Sequence, residues 1–159
     1  MAGHSKFVYV IVIRSTREKI WEALTQPEFT RQYWAGTYQK SEWTRGSPWQ
    51  VFTPDGRLWD AGEIIESDYP SKLVLTWRKE PSGTPFLAEM HAEGFSRLTY
   101  TLQEVDLGVQ LTLTHEMAVE GSKLIGAVSE GWPSVLSSLK TLLETGTALP
   151  NSEKWPEGL

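Results

Sequence analysis

The chain has 159 residues, 40% of them hydrophobic and 22% charged, with a formal net charge of −5 and no cysteine. That size and balance describe one globular domain able to bury a core without covalent staples, and the missing cysteines remove disulfides, thiolate metal sites and thiol nucleophiles. The acidic balance and the lack of a Lys/Arg cluster argue against a nucleic-acid partner, and no apolar run reaches the ~18 residues needed to span a bilayer.

The first residues, Met1 to Phe7, lack the apolar core of a secretory signal, so a cytoplasmic protein is expected. Phe7 to Ile13 is β-branched and aromatic throughout and reads as a strand. Ser15 with Glu18 forms a capping box ahead of the short apolar face Ile20, Trp21 and Leu24, and Pro27 ends that helix. Glu28 to Trp34 reads as a second short helix, terminated by Gly36.

Strands follow at Thr37–Trp43, Trp49–Thr53, Leu58–Glu66, Leu73–Lys79, Arg97–Val105 and Val109–Met117. Pro54-Asp55-Gly56-Arg57 and Asp106-Leu107-Gly108 are tight hairpin signals. The later strands alternate cleanly. Leu73, Leu75 and Trp77, then Leu98, Tyr100 and Leu102, then Val109, Leu111 and Leu113 share one apolar face against a mostly polar one. Asp60, Glu63, Glu66 and Asp68 cluster around one hairpin and are expected to face solvent. The Pro81–Gly94 segment has two readings: a flap over a cavity mouth, lined by Phe86, Leu87 and Met90, or a surface loop or lengthened hairpin.

The last element is the most regular. Leu124, Val128, Trp132, Leu136, Leu139 and Leu143 follow at steps of four, four, four, three and four. That is one face of a helix about six turns long. Pro133 removes one hydrogen bond from it, yet the stripe stays in phase, which predicts one kinked helix or two in line. This helix is the only element large enough to cover the apolar sheet face. The pattern predicts an α+β domain over residues 1–146 and a C-terminal tail over 147–159, of which Asn151 to Leu159 is expected to be loose. In it a curved antiparallel sheet of about six to seven strands surrounds a long C-terminal helix, with two short helices after the first strand.

Eight tryptophans in such a domain fit a large core, an aromatic pocket, or both. The phase of strands and helix makes Trp34, Trp59, Trp77, Tyr100, Leu111, Leu113, His115, Trp132, Leu136 and Leu139 the candidate ligand-binding set. Polar selection falls to His115, the indole N–H groups and Tyr33. His115 reads either as a pocket acid–base group or as a structural histidine. His91, Glu89 and Glu93 lack metal-ligand spacing. Neither a nucleophile elbow nor a phosphate or dinucleotide loop is present. Neither a metal nor a cofactor is expected.

Several segments together resemble a known family: Ile20-Trp21-Glu22-Ala23-Leu24, Pro27-Glu28-Phe29 with Tyr33-Trp34, Gly62 to Ile65, Leu73 to Trp77, Leu111 to Glu116 and Gly131 to Lys140. Their order and spacing resemble the bacterial branch of the SRPBCC (START-like) superfamily, which shares a domain with the activator of the heat-shock-protein-ninety ATPase. The resemblance implies a helix-grip fold and an internal cavity for a hydrophobic small molecule between the C-terminal helix and the sheet. It names no reaction. The alternatives are a cyclase- or hydrolase-like enzyme using the same cavity and a chaperone-activator-like interaction module. A monomer or weak homodimer is expected.

Overall fold

Alternating β-branched and aromatic residues build one antiparallel seven-stranded sheet of order β1-β7-β6-β5-β4-β3-β2. The structure is a computed structural model that describes residues 3–81 and 84–159. The elements run β1 (Ser5–Ile13), α1 (Arg17–Thr25), α2 (Pro27–Tyr33), β2 (Tyr38–Ser41), β3 (Pro48–Phe52), β4 (Leu58–Asp68), β5 (Lys72–Lys79), α3 (Pro85–Ala92), β6 (Ser96–Val105), β7 (Gly108–Met117) and α4 (Lys123–Thr145). This is the helix-grip arrangement that the sequence implied. Among the described residues no helix is long and apolar enough to cross a membrane.

The expected inward residues form the core. Leu73, Leu75, Leu98, Tyr100, Leu111 and Leu113 on the sheet are buried with Trp132, Leu136 and Leu139 of α4. Register shifts interrupt β3–β4 at Val51/Phe52 and β4–β5 at Ile64/Glu66. Such bulges bend a sheet locally, which lets it wrap a helix. Gly62 sits close to the second one, where a Cβ would overlap the Thr76 carbonyl oxygen.

α4 is one uninterrupted helix with Pro133 inside it. Its N-terminus is capped twice. Ser122 Oγ accepts from the Ile125 N–H, and the Glu93 carboxylate accepts from the Lys123 and Leu124 N–H groups. The negative charge also suits the positive end of the helix dipole. Gly146, at φ 88°, closes the other end.

Three local expectations change. The cap of α1 is Thr16, which accepts from the Lys19 N–H, one residue later than the Ser15 box. The Pro81–Gly94 segment carries a helix, α3; Ser82 and Gly83 lie outside the described residues. Its start has a local cause, since Thr84 caps Leu87 and Pro85 takes the first turn, where its missing N–H costs nothing. Residues 152–159 are seated rather than loose. The Ser152 carbonyl accepts from the Ala35 N–H at 2.7 Å, and Trp155 packs edge-on against Trp59 at 4.7 Å between ring centroids.

Candidate functional site

A pocket of about 390 Å³ lies between the sheet and the N-terminal half of α4. One wall is α4, through Leu124, Ala127, Val128, Gly131, Trp132 and Val135. The facing wall is Val51 of β3, Trp59 and Asp60 of β4, and Trp77 and Lys79 of β5. Trp34, Ala35 and Thr37 close one side, Met90 of α3 contributes another, and Trp155, Pro156 and Leu159 form the rim.

Of the sequence-derived set, the structure brings Trp34, Trp59, Trp77 and Trp132 together around this pocket. Tyr100, Leu111, Leu113, His115, Leu136 and Leu139 do not line it and are buried in the core between the helix and the sheet. Of the flap residues, Met90 lines the pocket, Leu87 packs beside it in a buried cluster, and Phe86 is exposed. α3 itself is tied down on both sides. Its last turn is held to β5, where Arg78 donates to the His91 carbonyl and His91 Nδ1 meets the Lys79 carbonyl at 2.7 Å. A carbonyl only accepts, so that ring nitrogen carries its proton. The α4 side is held by Glu93 and by the Glu89–Lys123 pair.

The tryptophans interlock. Trp34 lies 5.1 Å from Trp132, Trp49 lies 5.0 Å from Trp77, and Trp77 meets Trp132 edge-on at 5.9 Å. Hydrogen bonds orient two of them, Trp49 and Trp132. Trp49 donates to Gln39, whose amide in turn donates to the Leu24 carbonyl. Trp132 donates to His115 Nδ1 at 3.2 Å. An indole N–H can only donate, so Nδ1 is the bare nitrogen of His115 and Nε2 carries the proton. That proton points to Ser96 Oγ at 2.7 Å, and Ser96 donates onward to the Trp77 carbonyl.

His115 is therefore a neutral, fully partnered histidine that aims Trp132. Burial pushes its pKa down to about 3. Tyr33 is likewise committed: it is buried, its hydroxyl donates to the Ala23 carbonyl, and burial raises its pKa.

The largest correction concerns Asp60. It does not face solvent with Glu63, Glu66 and Asp68, which are exposed; it is 2% exposed and stands opposite Lys79 in the β4–β5 register. The Lys79 ammonium is 3.1 Å from Asp60 Oδ1, an ion-pair distance, but out of line for a hydrogen bond. It also lies 3.8 Å from the Trp59 ring centroid, a cation–π contact. Burial disfavours both charges. It raises the Asp60 pKa against the pull of Lys79 and of the nearby Trp77 N–H, and it lowers that of Lys79.

Lys79 was accessible to parity reasoning, since it continues the inward series Leu73, Leu75, Trp77. The inward turn of Asp60 was not, because a bulge breaks the phase of β4. Among the described residues no group of three His, Cys, Asp or Glu side chains is placed to hold a metal ion.

Fold and site together describe a helix-grip domain with a tryptophan-walled pocket at one end of the grip. Residues 14–144 match the family described as Activator of Hsp90 ATPase homolog 1-like protein, and the chain belongs to that family. No curated protein matches it. Several solved structures share the fold. ChR145 of Cytophaga hutchinsonii is 28% identical, with 89% of this chain and 95% of that chain covered at a TM-score of 0.67. MLL2253 of Mesorhizobium loti is 21% identical over 88% and 97% of the two chains, at a TM-score of 0.70. The Aha1 dimer of Colwellia psychrerythraea is 20% identical over 89% and 98%, at a TM-score of 0.67.

Proposed function

We propose that this protein binds a hydrophobic small molecule in the pocket between α4, β4 and β5. The observation that carries the reading is an open space of about 390 Å³ walled by Trp34, Trp59, Trp77 and Trp132 beside a core of buried leucines. Concave, mostly apolar spaces of this size with a few buried polar groups are the usual form of a small-molecule site. The pocket is roofed on one side by Trp155. His115 supports binding by holding Trp132, not by exchanging protons with a ligand.

The test is titration with two-ring aromatic hydrocarbons, followed by intrinsic tryptophan fluorescence and melting temperature. Binding quenches the fluorescence and raises the melting temperature with ligand concentration. Val128→Phe, which fills the pocket from the α4 wall, abolishes both responses while the protein stays folded. An unchanged response in Val128→Phe, or none in the parent protein, refutes the reading.

A further inference from the structure

Among the described residues, three buried side-chain polar atoms have no hydrogen-bond partner: Arg17 Nε, Asp60 Oδ1 and Trp77 Nε1. Arg17 Nε has a carboxylate of Glu104 3.6 Å away at the surface. The other two belong to neighbouring residues of the pocket wall. Asp60 Oδ1 has its counter-charge, the Lys79 ammonium, 3.1 Å away but no aligned hydrogen bond, and Trp77 Nε1 has no hydrogen-bond partner. Buried polar atoms without hydrogen bonds are costly and rare, and two together at the edge of an apolar pocket call for a physical cause.

We propose that Asp60, Trp77 and Lys79 form the polar recognition point of this pocket, and that its ligand is a neutral, flat hydrophobe carrying one hydroxyl group. The inference rests on the binding reading above and deepens it. Three features select that chemistry. Trp77 Nε1 can only donate, and an ionised Asp60 can only accept. The Trp77 N–H is close enough to Asp60 to favour its charged form. A single hydroxyl therefore satisfies both, accepting from the indole and donating to the carboxylate. Asp60 is already balanced by Lys79 at 3.1 Å. A carboxylate or ammonium on the ligand would bring an uncompensated charge into apolar surroundings. The tryptophan walls supply flat faces for the rest of the molecule. Both atoms are buried behind the pocket surface, and Lys79, which lines the pocket beside them, has a flexible four-carbon stem that is the adjustable part of the wall.

The experiment is equilibrium dialysis of the intact protein against five probes: naphthalene, 2-naphthol, 2-methoxynaphthalene, 2-naphthoate and 2-naphthylmethylammonium. The expected result is that 2-naphthol binds about tenfold or more tighter than naphthalene and its methyl ether, the gain of a charge-assisted hydrogen bond in a buried site. Both charged probes bind more weakly than 2-naphthol. In the Asp60→Asn/Lys79→Met double variant, which removes both charges together, the naphthol preference falls to within about threefold. The probe series on the unmutated protein decides the question even if the variant does not fold.

Equal binding of naphthol and naphthalene overturns this inference but leaves the pocket reading intact; a resident water then satisfies Asp60 and Trp77. Tighter binding of either charged probe also overturns it. Absence of binding by every neutral probe overturns both readings.

Discussion

Around Leu136 and Leu139, α4 packs on the sheet, and Leu111, Leu113, Leu136 and Leu139 are all 0% exposed. One to two turns earlier the same helix faces the same sheet across a pocket. The helical stripe is in phase through both regions, so orientation is not the difference. Side-chain size on the helix is. The C-terminal half presents leucines, whereas the N-terminal half presents Ala127, Val128 and Gly131 between the larger Leu124 and Trp132, with Trp59 and Trp77 opposite. A Cβ placed on Gly131 would meet nothing within 4 Å. Leucines interdigitate and fill; large planar rings packed against one another cannot collapse into a gap left by small residues. The polar accounting differs in the same sense. His115 and Ser96 behind the pocket are fully partnered, while Asp60 and Trp77 on its wall are not.

The comparison can be broken at either end, and the largest effect is expected at the pocket. Asp60→Ala leaves the Lys79 ammonium buried without its counter-charge, and should cost about 3–5 kcal/mol in urea unfolding. A loss below about 1 kcal/mol would show that the pair is solvated. At the filled end, Leu136→Ala opens a cavity in close-packed leucines and should cost about 3 kcal/mol, with binding of two-ring aromatics unchanged. If it instead enhances binding, the two regions are continuous.

A third test uses acid. As pH falls through about 6.5 the unfolded chain protonates His115, whereas the folded protein holds it neutral down to about 3. Stability contributed by this group is therefore complete above the unfolded value. It should fall by about 1.4 kcal/mol per pH unit within that window. Denaturant midpoints at pH 7.5 and 5.5 should show a smaller acid loss in His115→Gln than in the parent protein. The smallest effect belongs to Gly131→Ala. Replacing an open helical glycine should stabilise the protein by about 0.5–1 kcal/mol, read as a raised melting temperature. Destabilisation would mean that the space beside Gly131 is not open.

Much of this was legible in the sequence where one residue pattern answers to one local rule. The strands around Asp106–Gly108 alternate strictly, and hairpin register follows from such alternation. The spacing of Leu124 to Leu143 carries across Pro133, and the helix is indeed continuous. Failures came where signals were short or broken. α3 has only Thr84 and Pro85 to announce it, inside a segment rich in glycine and proline. Trp155 lies in a tail without periodicity, yet its ring finds Trp59.

The chain by itself determined which faces are apolar, the number and order of the main elements and the family they compose, because periodicity and turn chemistry are local properties. Only the tertiary structure decided where the grip is empty. The position of the pocket depends on the summed volumes of side chains from β3, β4, β5, α3, α4 and the chain's last residues, and no single segment carries that sum. It also decided that Asp60 points inward. A bulge shifts the pairing of β4 with β5, and one residue of shift is enough to turn a carboxylate from solvent to core.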